Sequence, residues 1–421
     1  MIVDADGVLR KKEFPDPSGQ LTRDRMLAAR ANLDRRIAKS SKLRKVSINR
    51  LEAVIKANLD KQLPPSDDML HLAGLTRVQY VFYYPDTRDI VLAGPAEGWA
   101  ADLSGRVCGI ETGKAVLELE DLVVALRAYP PSGHRTPVIL CSIDPTPEGL
   151  AKVQAFLGSI NPGPDDADLI VDGLRTSLGF QNIRVEGVPV NSHFAQVLIE
   201  ADYRMKLIGL GMEKPAVKMA SFVDRASPGA TNKKAMQRWY FIPDYQSVRV
   251  AADSLGMELV GAGVKLVDED EIVGSDGGRK TTGKSNKASK AFVTAFTKNY
   301  ADIAARTPVY AQMRNCIDLA ISAAFIQQQD YYAKAGWQMA TFANEAAVPV
   351  ATLNVPLRVE TVVAAVWKGN TLMTPIGGGV QMQPVRALER KNTLPDEDGK
   401  ISELRESIAV GDLPADHWWW D

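Results

Sequence analysis

Apolar positions recur with the helical period most clearly over residues 191–212, where Phe194, Val197, Leu198, Ala201, Met205 and Ile208 fall on one face. Glu200 with Arg204 and Asp202 with Lys206 stand four apart, a spacing that supports the outer face of an amphipathic helix. Further helices are predicted near 21–39, 48–61, 117–128, 147–158, 288–305 and 308–334, the last opening on Pro308. Between the first two, Ser40-Ser-Lys-Leu-Arg-Lys45 reads as a polar connector.

Strand patterning takes over elsewhere. Residues 1–12 read as a hairpin. Arg77 to Tyr84 and Asp89 to Ala93 are aromatic and β-branched runs flanking Pro85-Asp86, a hairpin signal. Val138 to Ile143 reads as a buried strand, and 238–267 and 357–382 are strand-rich. Phe82-Tyr-Tyr-Pro-Asp to Ala93 aligns without gaps against Tyr240-Phe-Ile-Pro-Asp to Ala251. A duplicated hairpin or one turn chemistry used twice explains the echo, and the second is the simpler account. The expected class is α+β, a multi-lobed arrangement of mixed sheets with packed helices and strand-Pro-Asp-strand hairpins. Punctuation divides the chain into 1–63 (hairpin and helices), 64–190 (an α/β lobe), 191–385 (a helix-rich and β lobe) and 386–421 (a polar tail).

Composition narrows the function classes. Fifty basic and 51 acidic residues leave a net charge of −1, without the excess of a nucleic-acid binder. No apolar run is long enough to span a bilayer. The 3 cysteines, Cys108, Cys141 and Cys316, read as buried apolar residues, with a Cys108–Cys141 bridge open in an oxidising compartment. The 4 histidines, His71, His134, His193 and His417, share no metal spacing, so neither a metal site nor a cofactor is expected.

Several motifs carry chemistry on paper. Gly278-Arg-Lys-Thr-Thr-Gly283-Lys284-Ser285 satisfies the phosphate-loop pattern, in which backbone N–H groups cradle phosphates and the serine holds Mg²⁺. The acidic run from Asp268 precedes it, where a buried strand is required, and the Mg²⁺-strand candidate Leu169-Ile-Val-Asp172 lies upstream; a solvated basic loop is the preferred reading. Asp4-Ala-Asp6-Gly7 resembles the nucleophile motif of aspartate phosphatases, but a hairpin turn explains it as well. His134, in a turn ahead of Cys141, allows a Cys/His nucleophile pair, against a core reading of Val-Ile-Leu-Cys. Trp418, Trp419 and Trp420 form an aromatic cluster that docks on a partner or, more simply, on the chain itself.

Three blocks carry a family resemblance. Leu72-Ala-Gly-Leu-Thr-Arg-Val-Gln-Tyr through Gly98-Trp99, Ser142-Ile-Asp-Pro-Thr-Pro-Glu-Gly149 and Glu200-Ala-Asp-Tyr-Arg-Met-Lys206 resemble an uncharacterised domain family of planctomycete bacteria, over roughly residues 3–385. The resemblance implies an exported protein, located in the periplasm or cell envelope, whose signal peptide precedes the first strand, in keeping with a chain that opens in mid-strand. It defines no catalytic residues. The expected function is therefore that of a non-catalytic binding or assembly protein, with a protein partner or self-association. An exported hydrolase with a dispersed Asp, Glu or Ser site and nucleotide binding at 278–285 are the alternatives.

Overall fold

In the computed structural model the described residues are 1–12, 14–160, 167–225, 235–273, 279–281, 287–362, 366–368, 371–373, 375–408, 410–411, 413–414 and 416–421. Among them the strands form two main sheets and two small ribbons, and with the helices they make an α+β fold. The larger sheet has nine strands in the order Ile2–Val3, Val8–Arg10, Arg358–Glu360, Phe180–Glu186, Ile139–Pro145, Pro375–Met382, Ala235–Pro243, Val264–Val273 and Arg279–Thr281. The smaller has seven, ordered Leu394–Pro395, Val248–Val250, Gly256–Leu259, Tyr80–Tyr84, Asp89–Ala96, Ser41–Ser47 and Trp419–Trp420. Most neighbours run antiparallel. The larger sheet takes strands from the segments 1–63, 64–190 and 191–385, and the smaller takes them from all four.

Alternation explains the smaller sheet. Val81 and Tyr83 point into the principal core, while Phe82 points to the opposite face and packs with Val91 and Ile401. Its hairpin closes at Tyr84↔Asp89 around Pro85-Asp86, as the aromatic pattern predicts. The second Pro-Asp segment makes no hairpin. Ala235–Pro243 belongs to the larger sheet and Val248–Val250 to the smaller, so the turn carries the chain from one sheet to the other. In this second turn Asp244 Oδ1 accepts from the Gln246 N–H at 3.2 Å.

Three helices fill the core. Leu119–Ala128 and His193–Gly209 both pack on Pro308–Gln328, and His193–Gly209 also lies on the larger sheet at Ile139–Pro145 and Pro375–Met382. The apolar face expected of 193–209 is buried throughout, from Phe194 to Ile208. So is much of the face expected to be outer. Asp202 is fully buried and bonded to Lys206 Nζ at 3.0 Å, and Nζ donates a second bond to the Ile143 carbonyl at 2.8 Å. The predicted 308–334 helix stops at Gln328, because Asp330 takes a left-handed conformation with φ of 58° before Tyr331–Ala335 begins. Residues 288–305 likewise divide, into Lys287–Lys298 and Tyr300–Arg306.

Two expectations are corrected. Leu169-Ile-Val-Asp172 is helical, inside Ala167–Leu178, and Ile170 and Leu174 pack against Leu150 and Val153 of a neighbouring helix. Gly173 permits that approach, since a Cβ there would lie 2.1 Å from the Phe156 ring. The polar connector 40–45 is the start of a strand, Ser41–Ser47. Its Arg44 is fully buried and donates to the carbonyls of Arg36, Ile37, Lys39 and Ala73 and, through Nε and Nη2, to Asp421 at 2.8 and 3.0 Å. Trp419 lies over the same guanidinium at 4.9 Å, and its strand pairs as Trp419↔Val46.

Deleting Trp418–Asp421 therefore removes an edge strand and leaves Arg44 without its counter-charge. Stranding a buried charge costs about 3–5 kcal/mol, so urea unfolding of a chain ending at His417 should show a correspondingly lower midpoint, with the light-scattering mass unchanged. An unaltered midpoint would mean that the pairing contributes nothing.

Candidate functional site

The helix Leu119–Ala128 begins at Glu118 in an extended conformation, with Glu120 and Asp121 in its first turn. Acidic residues are favoured there by the exposed N–H groups of the helix start. The helix His193–Gly209 begins against it, capped by Ser192, whose hydroxyl accepts from the Ala195 N–H at 3.2 Å. Two helix beginnings thus meet, and the central helix crosses behind them with Gln312 and Cys316.

His193 is the hub. Its Nδ1 lies 3.0 and 3.1 Å from the Asp121 carboxylate oxygens, and its Nε2 lies 3.7 Å from Glu118 Oε1 and 3.3 Å from Gln312 Nε2. Gln312 is oriented from the other side, where its Oε1 accepts from Arg106 Nε at 2.5 Å. Arginine only donates, so the amide oxygen faces Arg106 and the NH₂ faces the imidazole. Arg106 continues to Glu200 at 3.1 Å, and Arg204 links Glu200 to Glu213. One polar chain therefore runs through the core from Asp121 to Glu213. The Cys316 thiol lies 3.9 Å from Asp121 Oδ2.

Donor atoms of Glu118, Glu120 and His193 all lie within 4.8 Å of one another, a spacing that can hold a metal ion. Asp121, held to Nδ1, favours the tautomer with the lone pair on Nε2, the nitrogen that could ligate in place of its contact with the Gln312 NH₂. The electrostatics agree. Burial by itself would lower the His193 pKa, but Asp121, Glu118 and Glu120 overcome it and lift it to about 10. Burial raises Glu120 to about 7, with Asp121 and Glu118 adding to the rise against the pull of His193. Three carboxylates gathered on one imidazole call for positive charge.

The residues singled out by motif lie elsewhere. Cys141 is fully buried in Ile139–Pro145, and burial pushes its thiol well up, away from the thiolate a nucleophile needs. His134 is exposed in the turn before that strand, with no hydrogen bond or ion pair to Cys141 among the described residues. All three cysteines are free and buried, so no Cys108–Cys141 bridge exists. Asp4 serves the hairpin turn, accepting from the N–H groups of Asp6 and Val8 at 3.0 and 2.9 Å. Gly278, Gly283, Lys284 and Ser285 lie outside the described residues; Arg279–Thr281 between them is an edge strand paired with Val264–Val273. Trp418 is buried in the principal core, and Trp419 and Trp420 are partly buried against the chain's own sheet.

Comparison with known proteins gives this arrangement a partial place. A DUF1598 domain, described as a protein of unknown function, is found at residues 141–222. It holds His193, Glu200 and Arg204, together with the resembling blocks 142–149 and 200–206; Glu118, Glu120 and Gln312 lie outside it. No curated protein and no solved structure matches the chain.

The two raised groups shape how the metal-free protein responds to pH between about 6 and 10. Both bind protons more tightly folded than unfolded, so their stabilisation is full in acid. It falls through the Glu120 window, from about 4.5 to about 7, and then through the His193 window, from about 6.5 to about 10. Urea midpoints of chelator-treated protein should drop between pH 6 and 10, and His193→Gln should flatten the alkaline part. A wild-type profile that is flat above pH 7 would contradict the assignment.

Proposed function

We propose that the protein is a binding protein whose ligand is a divalent transition metal of the Zn²⁺ or Mn²⁺ class, held by Glu118, Glu120 and His193. The observation that carries this reading is the convergence of two carboxylates and an imidazole within 4.8 Å, with Asp121 behind the imidazole. Charge balance supports a divalent ion. Without metal, the cluster of three carboxylates and His193 reaches a charge of −1 only by taking up two protons. One divalent ion supplies the same two positive charges. A nitrogen and two oxygens suit Zn²⁺ or Mn²⁺ better than an all-thiolate or all-oxygen metal. The working role is non-catalytic binding or assembly. Its setting outside the cytoplasm, in the envelope of a planctomycete cell, is supported by the resemblance of Leu72–Trp99, Ser142–Gly149 and Glu200–Lys206.

A second reading has one observation in its favour. Three protein donors leave a coordination position for water, as in catalytic zinc sites, and this suits a hydrolase with a dispersed site. Hydrolysis of nitrophenyl esters or phosphates by metal-loaded protein, lost on His193→Ala, would select it.

Calorimetry on chelator-treated full-length chain tests binding itself. Zn²⁺ or Mn²⁺ should bind one per chain, and Glu118→Gln with His193→Ala should weaken this at least about tenfold. Proton release, measured in buffers of different ionisation enthalpy, should be about two per ion at pH 6 and about one at pH 8.5. Equal affinity in the double variant would remove the proposed site.

A further inference from the structure

A different face of the central helix carries an unbalanced charge. Arg314 forms no hydrogen bond or ion pair among the described residues, and its Nε is buried without a partner. Burial, and then the neighbouring Arg77, hold its pKa below the usual arginine value. Arg77 donates from Nε to Asp318 Oδ2 at 3.1 Å and from Nη1 to the Gly261 carbonyl at 2.9 Å, and its Nη2 is buried with no acceptor. Asp318, one turn beyond Arg314, is 1% exposed.

Gly263 stands beside all three residues, touching the aliphatic stem of Arg314. A Cβ built on Gly263 would lie 3.3 Å from Asp318 Oδ1, 3.7 Å from Arg77 Nη2 and 3.8 Å from Arg314 Cγ. Gly263 has a φ of 75° and Gly261 of 69°, both left-handed, so the turn beside the cluster favours glycine on either side of Ala262. Two guanidinium groups and one carboxylate leave a net charge of +1. Arginine does not shed its proton to escape burial, so an anion would balance the charge that the three side chains leave.

We propose that Arg77 and Arg314, beside the Gly261–Gly263 turn, bind a small tetrahedral oxyanion of the phosphate class. Arg77 Nη2 and the Arg314 guanidinium supply the donors, in the geometry for which arginine is suited. Access is from the side of Gly261, which is exposed.

The test titrates inorganic phosphate into the full chain at low ionic strength with a chelator present, which keeps the metal cluster out of the result. The wild type should bind one phosphate and melt higher as phosphate is added. Arg314→Met keeps the aliphatic stem and removes the charge. It should bind at least about tenfold more weakly, and without phosphate it should melt no lower than the wild type. The proposal is overturned if the wild type shows no saturable binding at millimolar phosphate, or if Arg314→Met binds equally well. It is also overturned if Arg314→Met melts far below the wild type without phosphate, because Arg314 would then serve the fold alone.

Discussion

Enclosing the helix Pro308–Gln328 on nearly every side is the constraint on which the rest of this structure depends. From Val309 to Ile326 its residues are buried with few breaks, and they include Gln312, Asn315, Asp318 and Ser322. Each buried polar group requires a partner, because an unmet hydrogen bond in the interior costs more than a satisfied one contributes. The surrounding elements supply them. Gln312 is held by Arg106, Asn315 by the Thr76 carbonyl and Asp318 by Arg77, while Ser322 turns back to its own helix. These partners all come from the first 110 residues or from the helix itself, so the amino-terminal quarter is tied to the central helix by polar contacts as well as by packing.

Legibility in the sequence followed locality. The Tyr80–Ala96 hairpin, the 193–209 helix and the start at Pro147 rest on contacts between residues close in the chain, and their patterns announce them. Ser41–Ser47 did not announce itself, because Lys42, Arg44 and Lys45 read as surface. Arg44 is internal only because four carbonyls, a tryptophan face and a carboxylate from the far end of the chain enclose it. Leu169–Asp172 was misread for the converse reason. A short β-branched run suits a strand or a buried helix, and the groove beside Phe156 decided for the helix.

The site was hidden by the same rule. His193 stands 72 residues from Asp121 and 119 from Gln312, so no local spacing joins them. A faint signal was present nonetheless: Glu118, Glu120 and Asp121 crowd the first turn of one helix, and His193 directly follows the serine cap of another. Motifs that did match locally, such as Asp4-Ala-Asp-Gly, proved to be turn chemistry.

The edges of the two sheets have a consequence for how the protein is made. Val8–Arg10 lies beside Arg358–Glu360, and Ser41–Ser47 lies between Asp89–Ala96 and Trp419–Trp420. Strands translated early therefore wait for neighbours that leave the ribosome hundreds of residues later. At roughly 5–20 residues per second, the N-terminal strands spend on the order of half a minute or more with an edge unpaired. Such exposed edges invite pairing with other chains until synthesis is complete, so slower emergence of the carboxy-terminal strands lengthens the time in which two chains can mispair.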